Sequence, residues 1–462
     1  MDKIKFGTDG WRGVLADDFT FERVTFVARA IARHIVDKGL SERPLIVAHD
    51  ARFLGAELAG LCVDTVHEAG LNTETFARPM PTPVVAYAIQ AHKAAGAIML
   101  TASHNPPEYN GIKFIPDYAG PASTEITRSI EALLGGSSAG SVKPGSDTIV
   151  DVISAYTDQL CSVVKKDIIA SAEPLVVIDP MHGAGCGVLA GVLQSFGATC
   201  QVINGDYDPG FGGHNPDPVR DNLTGLSQAV RASGALLGLA VDGDGDRFGI
   251  IDHNGVWLSP NEIISILAEY LLARGERGGA LVRSVATTHY LDKIAATYDV
   301  PLVETPVGFK WIAAEMMKST VIIGGEESGG LSVAGHIPEK DGILACLLVL
   351  EATLALDRSP SGQLSDIADR YGQRHSIRLD VRVGASRKAQ LMAELTEKEI
   401  DEIAGQSVSG TVLLDGVKFV LDTGDWLLIR PSGTEPLVRV YLEAGSEERL
   451  AELSAFATSI MT

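Results

Sequence analysis

The feature that most constrains the fold of this chain is a recurring succession of a short apolar run, a polar or glycine-rich loop and a segment of helical period. Continuous apolar runs of this length are typical of strands buried on both faces, and their alternation with helices predicts mixed, largely parallel sheets. Ligands bind at the carboxyl ends of the strands in such sheets, so the polar loops are the places to look for a site. The runs are "PLIVAHD" (44–50), "AIML" (97–100), "PLVVID" (174–179), "ALLGLAV" (235–241), "ALVRSV" (280–285) and "TVIIGG" (320–325).

Changes in composition along the chain predict four units. Breaks rich in Gly, Ser, Pro and Asp occur at 135–147, 252–260 and 357–366. From about Tyr371 onward apolar and polar residues alternate, which is typical of an antiparallel sheet with helices on one face. We therefore predict three α/β units and a smaller α+β unit, which suits a length of 462 residues. Their predicted ranges are 1–145, 146–254, 255–368 and 369–462.

Composition excludes several classes of function. The formal net charge of −21 repels nucleic acid and anionic membranes, so an anionic substrate would need a local cluster of Arg and Lys. Five scattered cysteines indicate neither a disulfide framework nor a zinc site and fit a reducing cytoplasm. The N-terminus lacks the apolar stretch of a signal peptide. The most apolar helical segment, Ile343 to Leu356, is too short to cross a bilayer and contains Glu351, so we expect a buried helix and no membrane partner.

The loop "AVDGDGDRFGI" (240–250) predicts a metal site. Asp242, Asp244 and Asp246 alternate with glycines directly after an apolar run, so three carboxylates can converge on one hard cation. The alternative is a solvated acidic turn, but three like charges this close repel one another unless a cation lies between them. An EF-hand is excluded, because Arg247 and His253 stand where its glycine and its closing glutamate are required. Carboxylate ligands favour Mg²⁺ over Zn²⁺.

Two further loops carry groups suited to a phosphorylated sugar. The loop "LIRPSGTEPLVR" (428–439) offers a guanidinium, hydroxyls and backbone amides that could hold a phosphate dianion, and a simple turn between strands is the alternative. In "GGEESGG" (324–330) two glutamates and a serine among glycines could bind sugar hydroxyls, with an exposed acidic loop as the alternative. The phosphate donors would be Arg430, Ser432, Gly433 and Thr434.

The stretch "TASHNPPEYNGIKF" (101–114) follows an apolar run and has two interpretations. Ser103, with His104 beside it and Lys113 ten residues on, could be a nucleophile; taken singly, the stretch is more typical of a turn. No P-loop motif occurs. No G-x-S-x-G lies directly after one of the apolar runs, where an α/β-hydrolase would have it. "GCGVLA" (185–190), with Asp206 further on, loosely matches a dinucleotide fingerprint and supports a rival hypothesis, a dinucleotide-dependent oxidoreductase.

Five loops taken together, in this order, resemble those of the α-D-phosphohexomutase superfamily, the phosphoglucomutases and phosphomannomutases. They are "FGTDGWRG", "TASHNP", "DGDGDR", "GGEESGG" and "RPSGTEP", and the resemblance covers essentially the whole chain. It implies three similar mixed-sheet α/β domains around a central cleft and a smaller C-terminal α+β domain. The four domains would carry, in order, loops for a phosphoserine, a metal, a sugar and a phosphate.

The resemblance also implies a reaction. Ser103 would carry a phosphoryl group and share one Mg²⁺ per chain with the three aspartates. Transfer to the 6-hydroxyl of a hexose 1-phosphate would give a 1,6-bisphosphate, which turns over in the cleft and returns its 1-phosphoryl group to Ser103. The expected small molecules are a hexose phosphate and glucose 1,6-bisphosphate as intermediate and activator, bound by a monomer or homodimer.

Individual roles follow from positions that match the motifs of the superfamily. The residues matching catalytic positions are Ser103, His104, Lys113, Arg247, Lys340 and Arg12, with Lys113 as a counter-charge for the phosphate on Ser103. Those matching substrate-binding positions are Gly308, Lys310, Glu326, Glu327, Ser328, Arg430, Ser432, Gly433, Thr434 and Arg439.

Substrate preference is predicted from three likenesses to phosphoglucomutases and one departure from other members. "ETPVGFK" (304–310), "PEKDGI" (338–343) and Glu327 look like those of phosphoglucomutases, which favours glucose phosphates. Gly330 stands where many dual-specificity members have a histidine. The alternatives are a phosphomannomutase or dual enzyme, a phosphoglucosamine mutase, which typically has glutamine and a terminal histidine in the sugar loop, and a non-catalytic sugar-phosphate sensor.

Overall fold

The computed structural model describes residues 4–7, 9–135, 145–397, 400–432 and 437–461. The first unit contains, in chain order, β1 (Trp11–Val14), α1 (Phe21–Asp37), β2 (Leu45–His49), α2 (Gly55–Glu68), β3 (Thr73–Thr75), α3 (Thr82–His92), β4 (Gly96–Leu100), β5 (Tyr109–Pro116), α4 (Thr124–Ala132) and β6 (Asp147–Ile149). The second contains α5 (Ile153–Val163), α6 (Lys166–Ala172), β7 (Leu175–Asp179), α7 (Val188–Ser195), β8 (Thr199–Val202), α8 (Thr224–Ser233), β9 (Leu237–Val241), β10 (Phe248–Asp252) and β11 (Trp257–Leu258).

The third unit contains α9 (Pro260–Ala273), β12 (Ala280–Ser284), α10 (Tyr290–Tyr298), β13 (Leu302–Thr305), α11 (Phe309–Lys318), β14 (Val321–Gly325), β15 (Leu331–Val333), α12 (Gly342–Ala355) and α13 (Pro360–Tyr371). The fourth contains β16 (His375–Arg382), α14 (Ala385–Glu397), β17 (Glu402–Ile403), β18 (Gln406–Val412), β19 (Val417–Leu421), β20 (Trp426–Pro431), β21 (Leu437–Ala444) and α15 (Glu447–Ser459).

The six apolar runs form the buried strands β2, β4, β7, β9, β12 and β14, as predicted. Every residue of β4, β9, β12 and β14 is buried, because helices cover both faces of each sheet. Helix α12 is also buried as expected. Its Glu351 is fully buried and accepts hydrogen bonds from Tyr270 Oη at 2.5 Å and Arg274 Nη1 at 2.6 Å, so the buried charge is paired.

The first three sheets share one plan, and the fourth differs. The strand orders are β1-β5-β4-β2-β3-β6, β11-β10-β9-β7-β8 and β13-β12-β14-β15. Within them β4, β9 and β14 each pair in parallel with a preceding strand and antiparallel with the next strand in sequence. The fourth sheet, β16-β21-β20-β19-β18-β17, is entirely antiparallel. The predicted fold class is therefore confirmed.

This plan places the chemically interesting loops at equivalent positions. The Ser103 loop joins β4 to β5, the aspartate loop joins β9 to β10, and the glutamate loop joins β14 to β15. Each loop thus follows the carboxyl end of a strand that has a parallel neighbour. In the fourth unit the loop predicted to bind phosphate joins β20 to β21.

The predicted boundaries between units stay a prediction, and the sheets show what crosses them. β6 lies beyond 145 but pairs in parallel with β3 of the first sheet. The hairpin of β10 and β11 spans 254, and α13 spans 368. Residues 136–144 of the predicted first linker lie outside the described residues.

One large apolar cluster runs through the first three units. It extends from Ile46 in β2 to Ile367 in α13, whereas the fourth unit has its own cluster around Phe419 and Leu442. A small cluster that includes Val285 and Trp426 joins the third and fourth units. Within the described ranges, none of the helices combines the length and apolar character needed to span a bilayer.

Candidate active site

Ser103 lies in a tightly held turn three residues beyond the end of β4. Its φ is +52°, a left-handed conformation that a serine adopts only when its surroundings hold it there, and the residue is buried. Its amide donates to Thr101 Oγ1 at 2.8 Å, and that hydroxyl donates to Asp50 Oδ2 at 2.5 Å. The Ser103 turn is therefore held by Asp50, the residue directly after β2.

Arg52 is the main organiser of this turn. Its buried guanidinium donates to the carbonyl oxygens of Ser103 at 2.7 Å, Asn105 at 2.6 Å, Pro106 at 2.7 Å and Tyr109 at 2.9 Å. It also lies 3.2 Å from Asp50 Oδ2 and over the ring of Phe211. One side chain therefore satisfies four carbonyls of the Ser103 loop, which is how an irregular loop can be buried there.

The hydroxyl of Ser103 points at the aspartate loop of the second unit. Ser103 Oγ donates to Asp242 Oδ2 at 2.7 Å and lies 3.3 Å from Nδ1 of His104. Burial, and after it the positive charges of Arg247 and Arg12, lower the pKa of His104 well below its usual value. The imidazole is therefore neutral near pH 7.

The three aspartates form a compact cluster suited to a cation. Asp242, Asp244 and Asp246 are completely buried, and one carboxylate oxygen of each lies within 4.8 Å of the others. The interpretation as a solvated acidic turn is thus wrong. Asp244 Oδ1 and Asp246 Oδ1 are buried without a hydrogen-bond partner. Unpartnered buried carboxylate oxygens are the hard ligands that Mg²⁺ takes, so these residues fit the predicted ion.

Two buried lysines offset part of the charge on this cluster. Lys113 Nζ lies 2.9 Å from Asp244 Oδ2, 3.0 Å from Asp246 Oδ2 and 2.9 Å from Asp9 Oδ2. Lys340 Nζ lies 2.9 Å from both Asp246 Oδ2 and Asp9 Oδ2. The first three units therefore meet at one network of carboxylates and ammonium groups. Lys113 serves here as counter-charge to carboxylates, where the sequence suggested a counter-charge to the phosphate on Ser103.

The pKa values reflect this network. Burial alone would lower the pKa of Lys113, but Asp244, Asp246 and Asp9 raise it well above the usual value. Burial, with the like charges of Asp244 and Asp246, raises the pKa of Asp242 well above its usual value. A cation bound at this cluster would favour the ionised form of Asp242.

Arg12 and Arg247 flank the Ser103 turn. Arg12 Nη1 donates to Asn105 Oδ1 at 2.6 Å, and the backbone amide of Arg247 donates to Asp242 Oδ1 at 3.0 Å. The guanidinium of Arg247 lies 3.8 Å from Asp217 Oδ1. Burial lowers the pKa of His104, the neighbour of Ser103, and the positive charges of both arginines lower it further.

The glutamate loop packs against the end of the aspartate loop. The amide of Phe248 donates to the carbonyl of Gly329 at 3.2 Å. Glu326 is buried, and its Oε1 accepts from the amide of Gly308 at 2.7 Å. Burial and then the charge of Glu327 raise the pKa of Glu326 to about 7. Glu327 Oε2 accepts from Ser284 Oγ at 3.0 Å.

The other residues predicted to bind the sugar lie around this loop. Ser328 is half-buried. Lys310 Nζ donates to Thr124 Oγ1 of the first unit at 3.2 Å, and Gly308 has a φ of +122° that favours glycine. The alternative of an exposed acidic loop is wrong, because residues 324–330 are buried or half-buried.

The candidate phosphate loop presents two arginines side by side. Arg430 in β20 and Arg439 in β21 are direct cross-strand partners. Like charges in this relation repel, so an anion between them would be stabilising. Asp415 Oδ2 accepts from Arg430 Nε at 2.8 Å, and the buried Ser432 accepts at its carbonyl from Lys388 Nζ at 2.9 Å. Gly433 and Thr434 lie outside the described residues.

Some predicted residues are brought together and others are not. Ser103, the aspartates, Lys113 and Lys340 lie in one continuous network. Among the residues that the structure describes, no hydrogen bond or ion pair joins Arg430 to that network. Arg430 is linked instead, through Asp415, to the turn before α11, where the amide of Val307 donates to Asp415 at 3.0 Å. The next amide of that turn, from Gly308, donates to Glu326 of the glutamate loop.

Sequence reasoning missed several residues of the site. Asp9 lies within the motif "FGTDGWRG", and Arg52 is the second residue after the run "PLIVAHD", so a search of residues just past strand ends could have found Arg52. Thr82, whose Oγ1 donates to Asp244 Oδ2 at 2.7 Å, and Asp415 had no comparable signal. Their roles depend on contacts between distant parts of the chain.

The glycine-rich segment "GCGVLA" has a packing explanation. A Cβ on the preceding Gly183 would lie 2.6 Å from the carbonyl oxygen of Gly243, and one on Gly185 would lie 2.7 Å from Val241 Cγ2. The amide of Ala184 donates to that same Gly243 carbonyl at 2.9 Å. These glycines let the segment support the aspartate loop from behind, which removes the need for a dinucleotide to explain them.

Four domain families match the chain in order. They are the alpha/beta/alpha domains I, II and III and the C-terminal domain of phosphoglucomutase/phosphomannomutase, over residues 3–139, 154–255, 259–371 and 381–458. Together the matches extend over most of the chain and include all the loops described above.

Full-length relatives have several names. A phosphoglucomutase/phosphomannomutase of Thermococcus kodakarensis is 32% identical over 458 residues, covering 98% of this chain and 97% of that protein. A protein of Methanosphaera stadtmanae named as a probable phosphoglucosamine mutase is 31% identical, covering 99% and 98%. The crystal structure of a protein from Thermus thermophilus assigned as a phosphomannomutase is 33% identical, has a TM-score of 0.88 and covers 99% and 98%.

Proposed function

The chain belongs to the phosphoglucomutase/phosphomannomutase family, and from that premise we propose that it interconverts glucose 1-phosphate and glucose 6-phosphate with Ser103 as the phosphoryl carrier. The observation that carries this proposal is the 2.7 Å contact between Ser103 Oγ and Asp242. It puts a hydroxyl held in a left-handed turn directly at a cluster of carboxylates fit for Mg²⁺. Neither a turn nor a sugar sensor requires that pairing.

The proposed cycle starts with phosphoserine at position 103. The 6-hydroxyl oxygen of glucose 1-phosphate forms a bond to phosphorus, the bond from phosphorus to Ser103 Oγ breaks, and the hydroxyl proton ends on Ser103 Oγ. The 1,6-bisphosphate then turns over in the cleft. Ser103 Oγ attacks the 1-phosphoryl group, the bond to O1 breaks, and O1 takes the proton as glucose 6-phosphate leaves.

The residues around Ser103 support these steps in different ways. His104 Nδ1, neutral and 3.3 Å from Ser103 Oγ, can hold the proton in transit. Arg12 and Arg247 supply positive charge beside the turn, where the negative phosphoryl oxygens would lie. A Mg²⁺ ion on the three aspartates would draw further charge from those oxygens. Lys113 and Lys340 keep the carboxylates in place.

The same sugar must be bound in two orientations. Glu326, Glu327 and Ser328 would hold hydroxyls in both, and the two cross-strand arginines would hold the phosphate that is not reacting. Because the pKa of Glu326 is about 7, its carboxyl can donate to one hydroxyl and accept from another near neutral pH. Lys310, Ser432, Gly433 and Thr434 complete the proposed binding set.

Glucose is favoured by the packing of Lys340. The stem of this lysine lies against Gly330, where a Cβ would be only 2.4 Å from Lys340 Cδ. A histidine at 330, as in many dual-specificity members, could not coexist with Lys340 in this position. The site therefore has the lysine found in phosphoglucomutases and no room for that histidine.

The decisive test of the phosphoryl carrier is mass analysis. Purified protein incubated with glucose 1,6-bisphosphate should gain one phosphoryl group on the peptide containing Ser103, and Ser103→Ala should gain none and lose activity to background. Ser171→Ala, at an exposed serine, is the matched control. Full activity of Ser103→Ala, or a wild-type Ser103 peptide that never gains a phosphoryl group, would overturn the mechanism.

Coupled enzyme assays would identify the preferred sugar phosphate. Glucose 1-phosphate, mannose 1-phosphate and glucosamine 1-phosphate are compared by kcat/KM, with glucose expected to be highest. A higher value for the amino sugar would favour the activity in the names of several relatives, and a higher value for mannose would favour a phosphomannomutase.

A further inference from the structure

Asp415 lies in the turn between β18 and β19 and joins the two parts of the proposed substrate site. Its Oδ2 accepts from the amide of Val307 in the third unit at 3.0 Å and from Nε of Arg430 in the fourth at 2.8 Å. We propose that Asp415 is a positioning residue that fixes the distance between the phosphate-binding arginine and the turn at Val307 and Gly308, which in turn contacts Glu326 of the glutamate loop. This inference rests on the proposed function, since it presumes that both groups hold one hexose phosphate.

The contact with Val307 acts on the sugar-binding side. The next amide along the chain, that of Gly308, donates to Glu326 Oε1 at 2.7 Å. Two successive amides of one turn are therefore bound by two carboxylates, Asp415 from the fourth unit and Glu326 from the third. A shift of Asp415 would therefore move the turn at Val307 and Gly308, and with it the hydrogen bond to Glu326.

The contact with Arg430 acts on the phosphate-binding side. A guanidinium held at Nε loses rotation about its long side chain, and its two terminal nitrogens can still bind a phosphate in a bidentate way. The neighbouring Gly416 keeps the turn close to the arginine, because a Cβ there would lie 2.4 Å from the carbonyl oxygen of Ile429 and 3.1 Å from Arg430 Cα. Its φ of +93° also favours glycine.

A separate contact attaches the fourth unit to the third. The buried Lys418 donates to the carbonyl of Val285 at 2.8 Å and lies 4.2 Å from the centre of the Trp426 ring. Docking of the two units therefore does not depend on Asp415. Since the side chain of Asp415 is one-quarter exposed, its removal should leave the fold intact while releasing Arg430.

The consequence for the reaction concerns the bisphosphate. In both orientations one phosphate must be held at a constant distance from the hydroxyls that Glu326 binds. Without Asp415 that distance is no longer fixed, so the substrate binds less tightly and the intermediate escapes more often before it has turned over.

The test compares Asp415→Asn with wild type and with Asp422→Asn, an exposed aspartate in the next turn of the same unit. We expect Asp415→Asn to raise KM for glucose 1-phosphate about tenfold, the size typical of a lost charge-assisted hydrogen bond. We also expect more glucose 1,6-bisphosphate to be released per turnover, with the rate of Ser103 phosphorylation by saturating bisphosphate unchanged. Asp415→Glu, which keeps the charge, should recover part of the loss.

The outcomes separate the two proposals. A wild-type protein inactive on all three sugar phosphates overturns the proposed function, whatever Asp415 does. An active wild type with equal KM and equal bisphosphate release in Asp415→Asn and Asp422→Asn overturns the positioning role. A uniform fall in kcat, phosphorylation rate and unfolding temperature in both Asp415 variants also overturns it, because that pattern indicates a structural role alone.

Discussion

The side chain of Lys340 packs against Gly330, and its ammonium group contacts the carboxylates of Asp9 and Asp246. A Cβ at 330 would lie 2.4 Å from Lys340 Cδ and 2.7 Å from Lys340 Cγ. These atoms belong to the middle of a side chain whose end is held by two carboxylates at 2.9 Å, so they cannot move aside at little cost. The glycine is required by the lysine.

Gly330→Ala is therefore expected to displace Lys340 and to lower kcat/KM about tenfold or more, since overpacking of a filled site typically costs about 1 to 3 kcal/mol. Gly60→Ala is the control, because that glycine lies inside α2 with open space around it. There the change should stabilise the protein by about 0.5 to 1 kcal/mol and leave activity unchanged. Wild-type kinetics in Gly330→Ala would show that activity does not depend on the observed position of Lys340.

Replacing Arg52 should disturb the Ser103 turn and leave substrate binding almost unchanged. In Arg52→Lys one ammonium cannot satisfy four carbonyls, so Ser103 is no longer held at its left-handed φ. We expect kcat and the rate of Ser103 phosphorylation to fall at least about a hundredfold with little change in KM. Arg43→Lys is the matched control, since Arg43 also donates to two carbonyls, those of Lys93 and Ala94, far from the turn. A rise in KM alone would contradict this role.

Metal binding should be visible in stability as well as activity. Mg²⁺ at about a hundredfold excess over its Kd should stabilise the folded protein by about 2.7 kcal/mol, and Asp244→Asn should abolish the effect. Chelation should remove activity, and added Mg²⁺ should restore it. Asp64→Asn, at an exposed aspartate of α2, should behave as wild type. An equal response to Mg²⁺ in Asp244→Asn would place the ion elsewhere.

The raised pKa of Glu326 predicts a pH dependence of stability. An unfolded glutamate titrates near about 4.3, whereas burial and the charge of Glu327 bring the pKa of Glu326 to about 7 in the folded protein. Between these values the folded state binds the extra proton, so the contribution of Glu326 to the free energy of unfolding falls as pH rises and is constant above about pH 7. The full effect is about 3 to 4 kcal/mol.

Glu326→Gln should remove this part of the slope. Denaturant unfolding of both proteins from about pH 5 to about pH 8 measures the difference, and Glu57→Gln, at an exposed carboxylate, is the control. Parallel stability curves for wild type and Glu326→Gln would mean that the carboxyl titrates normally. Because Glu326 also orients Gly308, the comparison concerns the slope and not the absolute stability.

Hydrophobic pattern and loop composition were enough to predict the strands, the helices and the chemistry of the loops. Apolar runs between 44 and 325 became buried strands because continuous burial on both faces needs residues of that kind, and the loops after them had to be polar. Ser103, the aspartates and the glutamates could be named because each follows such a run. The shared plan of three sheets then puts their loops at equivalent strand ends.

Which groups come into contact depends on the packing of the domains and could not be predicted. Lys340 joins Asp9 across 331 residues, and Arg52 reaches the carbonyl of Ser103 across 51, distances along the chain over which no local pattern carries information. The sequence predicted Lys113 as a counter-charge for the phosphate on Ser103. In the folded protein its ammonium group contacts three carboxylates instead. Asp415 has no motif at all, because its role comes from the docking of one unit on another. Local hydrophobic pattern decides where a strand ends, and the packing of whole domains decides what its end faces.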